Sequence, residues 1–451
     1  MSQIWTDKYT RMTETPIPKL VTSMAVPTII SMLVTSFYNM ADTFFVGRIG
    51  TSASAAVGVV YSLMAVIQAC GFFFGHGSGN FISRALGSND MDDAEKMAST
   101  GFFSALIAGA VIGAVGLIFL DPLARLLGST DTILPYAKDY MKYILIGAPW
   151  MMSSLVLNNQ LRFQCSAFYG MIGITSGAVV NIALDPLLIF VFDMGIAGAA
   201  LATIISQFIS FCLLLRGTMQ GENLHIRFRN FTPRFKFYKS ILKGGLPSLF
   251  RQGLGSVGTI CLNRSAGIYG DAAVAAMSIC NRVIMFANSC VIGFGQGFQP
   301  VCGFNYGAKK YNRVKEAFWF CVRTATVFLI CAATLGFIFA PFIIQFFRKG
   351  DPAVVEIGKT ALRFQCTTFP LLGWITLCNM MMQTMGKAVR ASFMAMARQG
   401  LFFIPAVLIL PHVFGITGLQ FSQPVADIIT FAVSIPLQIS VLREMKEDGN
   451  T

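Results

Sequence analysis

Apolar runs of roughly 20–30 residues, separated by short polar breaks, fill most of this chain. At about 1.5 Å of rise per residue, a helix of that length crosses a hydrocarbon layer about 30 Å thick. Twelve spans are predicted. The first six cover about 20–46, 52–80, 97–120, 138–158, 165–191 and 195–216. The second six cover about 241–268, 272–300, 317–346, 359–384, 391–412 and 418–441. The one long polar connection lies between the sets, at 217–240, and carries Arg227, Arg229, Arg234, Lys236 and Lys239. The pattern predicts an all-α membrane protein of twelve transmembrane helices in two six-helix lobes. Its parts are an N-lobe over 1–216, a cytoplasmic interlobe linker over 217–240 lying on the membrane surface, and a C-lobe over 241–451.

The halves repeat. A shift of about 220 residues lays Val26-Pro27 on Leu246-Pro247, Gly50 on Gly270, Gly75-His-Gly77 on Gly295-Gln-Gly297 and Gly87 on Gly307. The same shift carries Asp131 onto Asp351 and the Gly195/Gly198 pair onto Gly415/Gly418. Leu161-Arg-Phe-Gln-Cys165 recurs as Leu362-Arg-Phe-Gln-Cys366 at a different offset, and we treat that match as coincidence. Six spans per half bring both halves in from the same side. The lobes are then parallel copies about an axis along the membrane normal, with a site expected at their seam near the bilayer midplane.

Charge sets the orientation. With the N-terminus cytoplasmic, about 23 of the 34 basic residues fall on the inside, so both termini are expected in the cytoplasm. Residues 1–19 lack the apolar core of a cleavable signal, and the first span is expected to direct insertion into the cytoplasmic membrane. Composition narrows the function classes. Of the residues, 55% are hydrophobic and only 12% charged, and the mean hydropathy is +0.64. The net charge of +13 is spread over loops, with no segment able to fold a basic nucleic-acid-binding face. The 11 cysteines sit mostly alone in apolar runs, without metal-ligand spacing. His76, His225 and His412 are isolated, and no metalloprotease or phosphate-loop motif occurs, so no enzyme and no cofactor is expected. Gly75-His-Gly-Ser-Gly79 is read as a helix break at the inner surface.

The candidate chemistry is acidic. Asp42 stands inside the first span, with Tyr38 and Asn39 one turn before it on the same face. Asp185 stands inside the fifth, one turn after Asn181 and just before Pro186. An ionisable side chain at membrane depth is costly and faces a protein interior or a wet cavity. A hydrogen-bonded clasp between helices is the structural alternative, but two spans bearing the same Asn/Asp pair favour function. Burial favours the neutral form of a carboxyl, so a proton and a cationic ligand would compete for one site. Sodium is the rival coupling ion, because Asp, Asn and carbonyl oxygens also bind hard cations. In the second half, Asn281-Arg282 reads as a buried, paired pin between helices, with gating as the sharper alternative. Asp427 after Gln423-Pro424 reads equally as functional or structural, and Arg251 as a residue snorkelling to the inner surface. Met380-Met381-Met382 and Met385 read as core filler, or as a pliable binding surface.

Three strings carry a resemblance. They are Pro27 with Asn39-x-x-Asp42-x-x-x-Val46-Gly47, Asn181-x-x-x-Asp185-Pro186, and Gly293-Phe-Gly-Gln-Gly-Phe-Gln-Pro300-Val-Cys-Gly-Phe-Asn-Tyr-Gly307-Ala. Over about residues 20–440 the chain resembles the multidrug and toxic compound extrusion (MATE) family, in its bacterial exporter branch. The resemblance implies a twelve-helix V of two lobes that exports cationic amphiphiles against H⁺ or Na⁺. It implies a first-lobe polar cluster on Tyr38, Asn39, Asp42, Tyr140, Asn158, Asn181, Asp185 and Thr203. One departure stands out: residues 241–268 and 359–384 contain no Asp or Glu, so the second-lobe acids of one branch have no counterpart here. The function expected is a cation-coupled antiporter, H⁺ before Na⁺, working by alternating access. Asp42, Asp185, Asn39 and Asn181 would couple it. Tyr38, Tyr140, Asn158, Thr203, Arg282 and Asp427 would bind substrate. The expected partners are cationic small molecules and the lipid bilayer, with no nucleic acid, and the chain is expected to be monomeric. Alternatives are a flippase or exporter of lipid-linked or polar metabolites in the same superfamily, and a membrane sensor without a transport cycle.

Overall fold

A computed structural model describes residues 3–347 and 351–447, which are helical almost throughout, with no strand among them. A polar helix α1 (Gln3–Glu14) ends before Pro16 and the first lobe follows it. That lobe comprises α2 (Ile17–Gly47), α3 (Thr51–Gly87), α4 (Met91–Ile118) with the short α5 (Leu120–Leu126), α6 (Leu134–Phe163), α7 (Ala167–Pro186) and α8 (Gly195–Thr218). The second lobe comprises α9 (Phe235–Gly267), α10 (Asp271–Gly307), α11 (Tyr311–Ile338) with the short α12 (Ala340–Phe347), α13 (Pro352–Thr368) and α14 (Leu371–Thr384) as one broken pass, α15 (Ala388–Met396) and α16 (Ile404–Glu447). Eight helical stretches among the described residues are long and apolar enough to span a membrane. The last of them, Ala388–Met445, folds back at Gly415, whose backbone (φ 61, ψ −145) is not helical, and so makes two passes. With α6, α9 and the α13–α14 pair, which carry more charge or are broken, the described residues cross the bundle twelve times, as the apolar runs predict.

The repeat is written into the backbone. Left-handed residues at Gly50, Asn89, Cys165 and Gly195 recur at Gly270, Lys309, Gly386 and Gly415. These are the turns between corresponding passes, and a sharp reversal needs that conformation. The fifth pass of each lobe also widens into a π-turn, over Leu187–Val191 and again over Ala397–Phe403. The first follows Pro186, which lacks an N–H and cannot continue the ordinary hydrogen-bond ladder. The Leu161-Arg-Phe-Gln-Cys165 decoy does not share a setting with its echo. Arg162 is buried between the lobes, whereas Arg363 reaches an exposed carbonyl, that of Phe337.

The lobes meet at the end of the bundle that holds the linker and α1. There α3 packs on α9 and α10, and α2 packs on α10. The contact is so close that a methyl added at Gly87 would lie 2.0 Å from the Phe304 carbonyl oxygen, and one at Gly307 would lie 2.1 Å from that of Arg84. The two contacts are mates under the repeat. Gly77 does the same against Ile241 of α9, so Gly75-His-Gly-Ser-Gly79 does not break α3 as the sequence led us to expect. The helix runs unbroken from Thr51 to Gly87, and the glycines serve the close approach. Across this seam Thr28 donates to Gly293 O at 2.6 Å, Ser83 donates to Pro300 O at 3.2 Å and Arg84 donates to Thr384 O. The α2–α10 contact fades at Ser36–Ser289 and the Phe37–Phe286 ring pair. Among the described residues no hydrogen bond, ion pair or ring contact joins the lobes beyond that point, so a cleft opens toward the other end.

The linker is held to the first lobe rather than left loose. The Leu224 N–H donates to Gln164 Oε1 at 2.6 Å, the Thr232 N–H donates to Thr100 Oγ1 at 3.1 Å, and Lys236 pairs with Asp93.

Candidate functional site

Four helices of the first lobe bring polar side chains to one pocket. From α2 come Tyr38 and, one turn later, Asp42; from α6, Tyr140; from α7, Asn181 and, one turn later, Asp185; from α8, Thr203 and Gln207. Both phenols approach the Thr203 hydroxyl, Tyr38 also meets Gln207, and the charges of Asp42 and Asp185 act on both rings. Tyr140, Asn181, Asp185 and Thr203 have 1% exposure or less, while Asp42 is half-buried. The Thr203 hydroxyl donates to Ala199 O at 3.0 Å, which holds its oxygen toward the phenols.

What distinguishes the pocket is what its acids lack. Neither carboxylate oxygen of Asp185, neither polar atom of Asn181, and not the buried oxygen Oδ1 of Asp42 has a hydrogen-bond partner among the described residues. The structural alternative, a clasp tying helices together, is therefore not what forms. Leaving a buried polar group unpaired costs about 1–3 kcal/mol, and more when it is charged. A fold keeps such groups where another species completes them.

The other expected residues lie elsewhere. Asn39 is exposed on α2. Asn158 faces Gly170 at the start of α7, about 22 Å of helix rise below Asp185, so it does not join the cluster. Arg282 is neither buried nor paired, contrary to the pin expected. It is exposed, one turn outward of Phe286 on the face turned to α2, and makes no ion pair among the described residues. Asp427 is 3% exposed, and its Oδ1 is engaged within the second lobe. Arg398 donates to it at 2.8 Å and Gln423 donates at 2.9 Å. Its Oδ1 is thus held inside the second lobe, the structural one of its two readings, and it does not join the first-lobe acids. The pocket itself lies inside the first lobe, within about three turns of the helix ends farthest from the linker, rather than at a midplane seam.

Two groups escaped the sequence reading. Gln207 follows Thr203 by one turn, and that spacing alone could have placed it. Arg162, His76 and Gln296 meet across the closed seam, a partnership that the repeat of Gly75-His-Gly77 at Gly295-Gln-Gly297 marks in position but not in contact. Met380, Met381, Met382 and Met385 are 5% exposed or less, and Met381, Met382 and Met385 belong to the large buried core. Among the described residues no cluster of His, Cys, Asp and Glu could hold a metal ion.

Comparison with known proteins agrees with this architecture. Multidrug export protein MepA of Staphylococcus haemolyticus (strain JCSC1435) is 28% identical over 438 residues, covering 96% of this chain and 96% of the relative. MepA of Staphylococcus aureus (strain MRSA252) is 26% identical over 433 residues, covering 96% of this chain and 95% of the relative. Among solved structures, an outward-facing multidrug resistance MATE family transporter of the MOP superfamily matches with a TM-score of 0.92 at 24% identity, covering 97% of this chain and 98% of the other. A MOP superfamily transporter from Pyrococcus furiosus matches with a TM-score of 0.91 at 24% identity, over 97% of this chain and 98% of its own. The MatE family profile matches residues 27–187 and again 247–408, one copy in each half of the internal repeat, and the chain belongs to the MatE family of membrane transporters.

Proposed function

We propose that this protein exports cationic amphiphilic drugs across the cytoplasmic membrane in exchange for a cation, H⁺ in preference to Na⁺, by alternating access, with both termini in the cytoplasm. The observation that carries the reading is the unpaired pair of acids, Asp42 and Asp185, in one first-lobe pocket with Tyr38, Tyr140, Asn181 and Thr203. An isolated carboxylate is expensive to hold charged in a dry site, and either a proton or a cationic ligand relieves it. One relieves it at the expense of the other, which is the requirement for exchange. A proton needs a single oxygen, whereas a hard metal cation needs a shell of about six. Here the side chains on which both acids act are two phenols, poor ligands for a hard metal cation, which favours the proton. Asn39 and Arg282, exposed where the lobes part, suit a first contact with substrate. The drug class is supported by the names of the MepA relatives.

The test is dye efflux in everted membrane vesicles, with pH and Na⁺ gradients imposed separately. Transport should follow the pH gradient, and Asp42→Asn and Asp185→Asn should each abolish it while the protein still inserts. Truncating one partner of a buried charged contact costs about 2–5 kcal/mol, a loss of roughly thirtyfold to several thousandfold. Normal efflux by either variant would end the proposal, and efflux driven by Na⁺ alone would overturn the choice of ion.

A further inference from the structure

A second set of buried charges lies away from the acidic pocket, on the seam that shuts the inner half of the cleft. Arg162, at the inner end of α6, is 2% exposed. Its guanidinium donates to Asn159 Oδ1 at 2.6 Å and lies 3.3 Å from His76 Nε2. It also crosses to the second lobe, donating to Gln296 Oε1 at 2.6 Å. From the facing lobe, the half-buried Arg251 of α9 donates to Asn379 Oδ1 at 3.3 Å, and its charge acts on both Arg162 and His76. Two cations from opposite lobes are thus brought together.

No carboxylate balances them. Neither arginine forms an ion pair among the described residues, and Arg162 Nε has no hydrogen-bond partner. The seam around them is under-satisfied as well. Asn80 continues the His76–Ser83 stripe of α3 and Gln299 continues the Gln296–Gly303 stripe of α10, and both are fully buried with neither polar atom of the side-chain amide paired. A contact meant only to stay closed would carry a carboxylate at position 296, one atom different from the glutamine found there. Buried charge left uncompensated is strongly destabilising, and water is the cheapest remedy.

The geometry points to Arg162 and Arg251 as gate residues whose uncompensated charge keeps the inner seam close to balance between shut and open. The Arg162–Gln296 bond latches the shut form, while hydration of the two guanidiniums and of Asn80 and Gln299 favours the open one. These are positioning residues, acting through the seam and not on the transported molecule. The inference rests on the alternating-access reading above, but it needs neither the identity of the driving ion nor that of the drug.

Hydrogen exchange of the full chain in lipid nanodiscs, read by mass spectrometry on peptides from 73–87 and 293–307, tests it. Gln296→Glu supplies the missing counter-charge and should slow exchange there by about tenfold or more, the factor one charge-assisted hydrogen bond provides. Transport should fall in step, while binding of a fluorescent cationic dye to the acidic pocket is kept. Gln296→Met removes the latch without adding charge and should move seam exchange the opposite way. If Gln296→Glu fails to fold, Gln296→Met decides alone. Unchanged seam exchange in the folded variants, or a shift of the same sign in both, overturns the gate. Loss of ion coupling with these opposite shifts intact would count against the proposed exchange and not against the gate.

Discussion

Each lobe buries one aspartate near a proline in a membrane-spanning helix, and the two are treated in opposite ways. Asp427, three residues after Pro424, is gripped by Arg398 and Gln423. Asp185, immediately before Pro186, has Asn181 and two phenols for company, yet neither of its oxygens accepts a hydrogen bond. Burial is the same, 3% and 0% exposed, so burial does not separate a structural acid from a functional one. The separating fact is whether the fold itself supplies the partner. Where it does, the acid holds helices together. Where it does not, the vacant bonding capacity is available to something that comes and goes.

This contrast makes opposite forecasts for the two residues. Asp427→Ala strands the Arg398 guanidinium and should destabilise the protein by about 3–5 kcal/mol, seen as a lower melting temperature of the purified protein. Molecules that remain folded should still export drug at the normal rate per molecule. Replacing both members, Asp427→Met with Arg398→Met, should recover most of that stability, since an apolar pair of similar volume stands in well for a buried ion pair. If Asp427→Ala instead left stability unchanged and stopped transport, the two acids would have to be read alike. A smaller effect sharpens the other side. Tyr140→Phe removes one hydroxyl from the Asp185 pocket and should weaken binding of a cationic dye by about fivefold, the worth of a single hydrogen bond near 1 kcal/mol. Thermal stability should fall only slightly, because that hydroxyl makes one neutral contact, with Thr203, between α6 and α8.

Much of this was legible beforehand for physical reasons. Apolar runs long enough to span a bilayer have few alternatives to helix, and the glycines that repeat between halves mark turns and close approaches that tolerate no side chain. Gly87 and Gly307 could be paired from the shift alone, and each proved to press on the other lobe. The pairing of Asn181 with Asp185 and of Tyr38 with Asp42 followed from one turn of helix. Long-range partnership was not legible. Nothing near Asp427 announces Arg398, which comes from another pass, and nothing near Arg282 tells that α10 turns it toward an open cleft. Gly75-His-Gly-Ser-Gly79 misled for the same reason. A local reading takes three glycines as a helix break, whereas contact with Ile241 and Phe163 uses them as a smooth surface within an intact helix.

In the proposed exchange proton and drug exclude one another at Asp42 and Asp185, and proton release on binding measures that competition. Purified protein in weakly buffered solution near neutral pH is titrated with a cationic dye while pH and binding are followed together. Each dye bound should release a proton, the release should vanish in Asp185→Asn, and lowering the pH should weaken binding to the unaltered protein. Tight binding with no proton released, and with an affinity indifferent to pH, would contradict it.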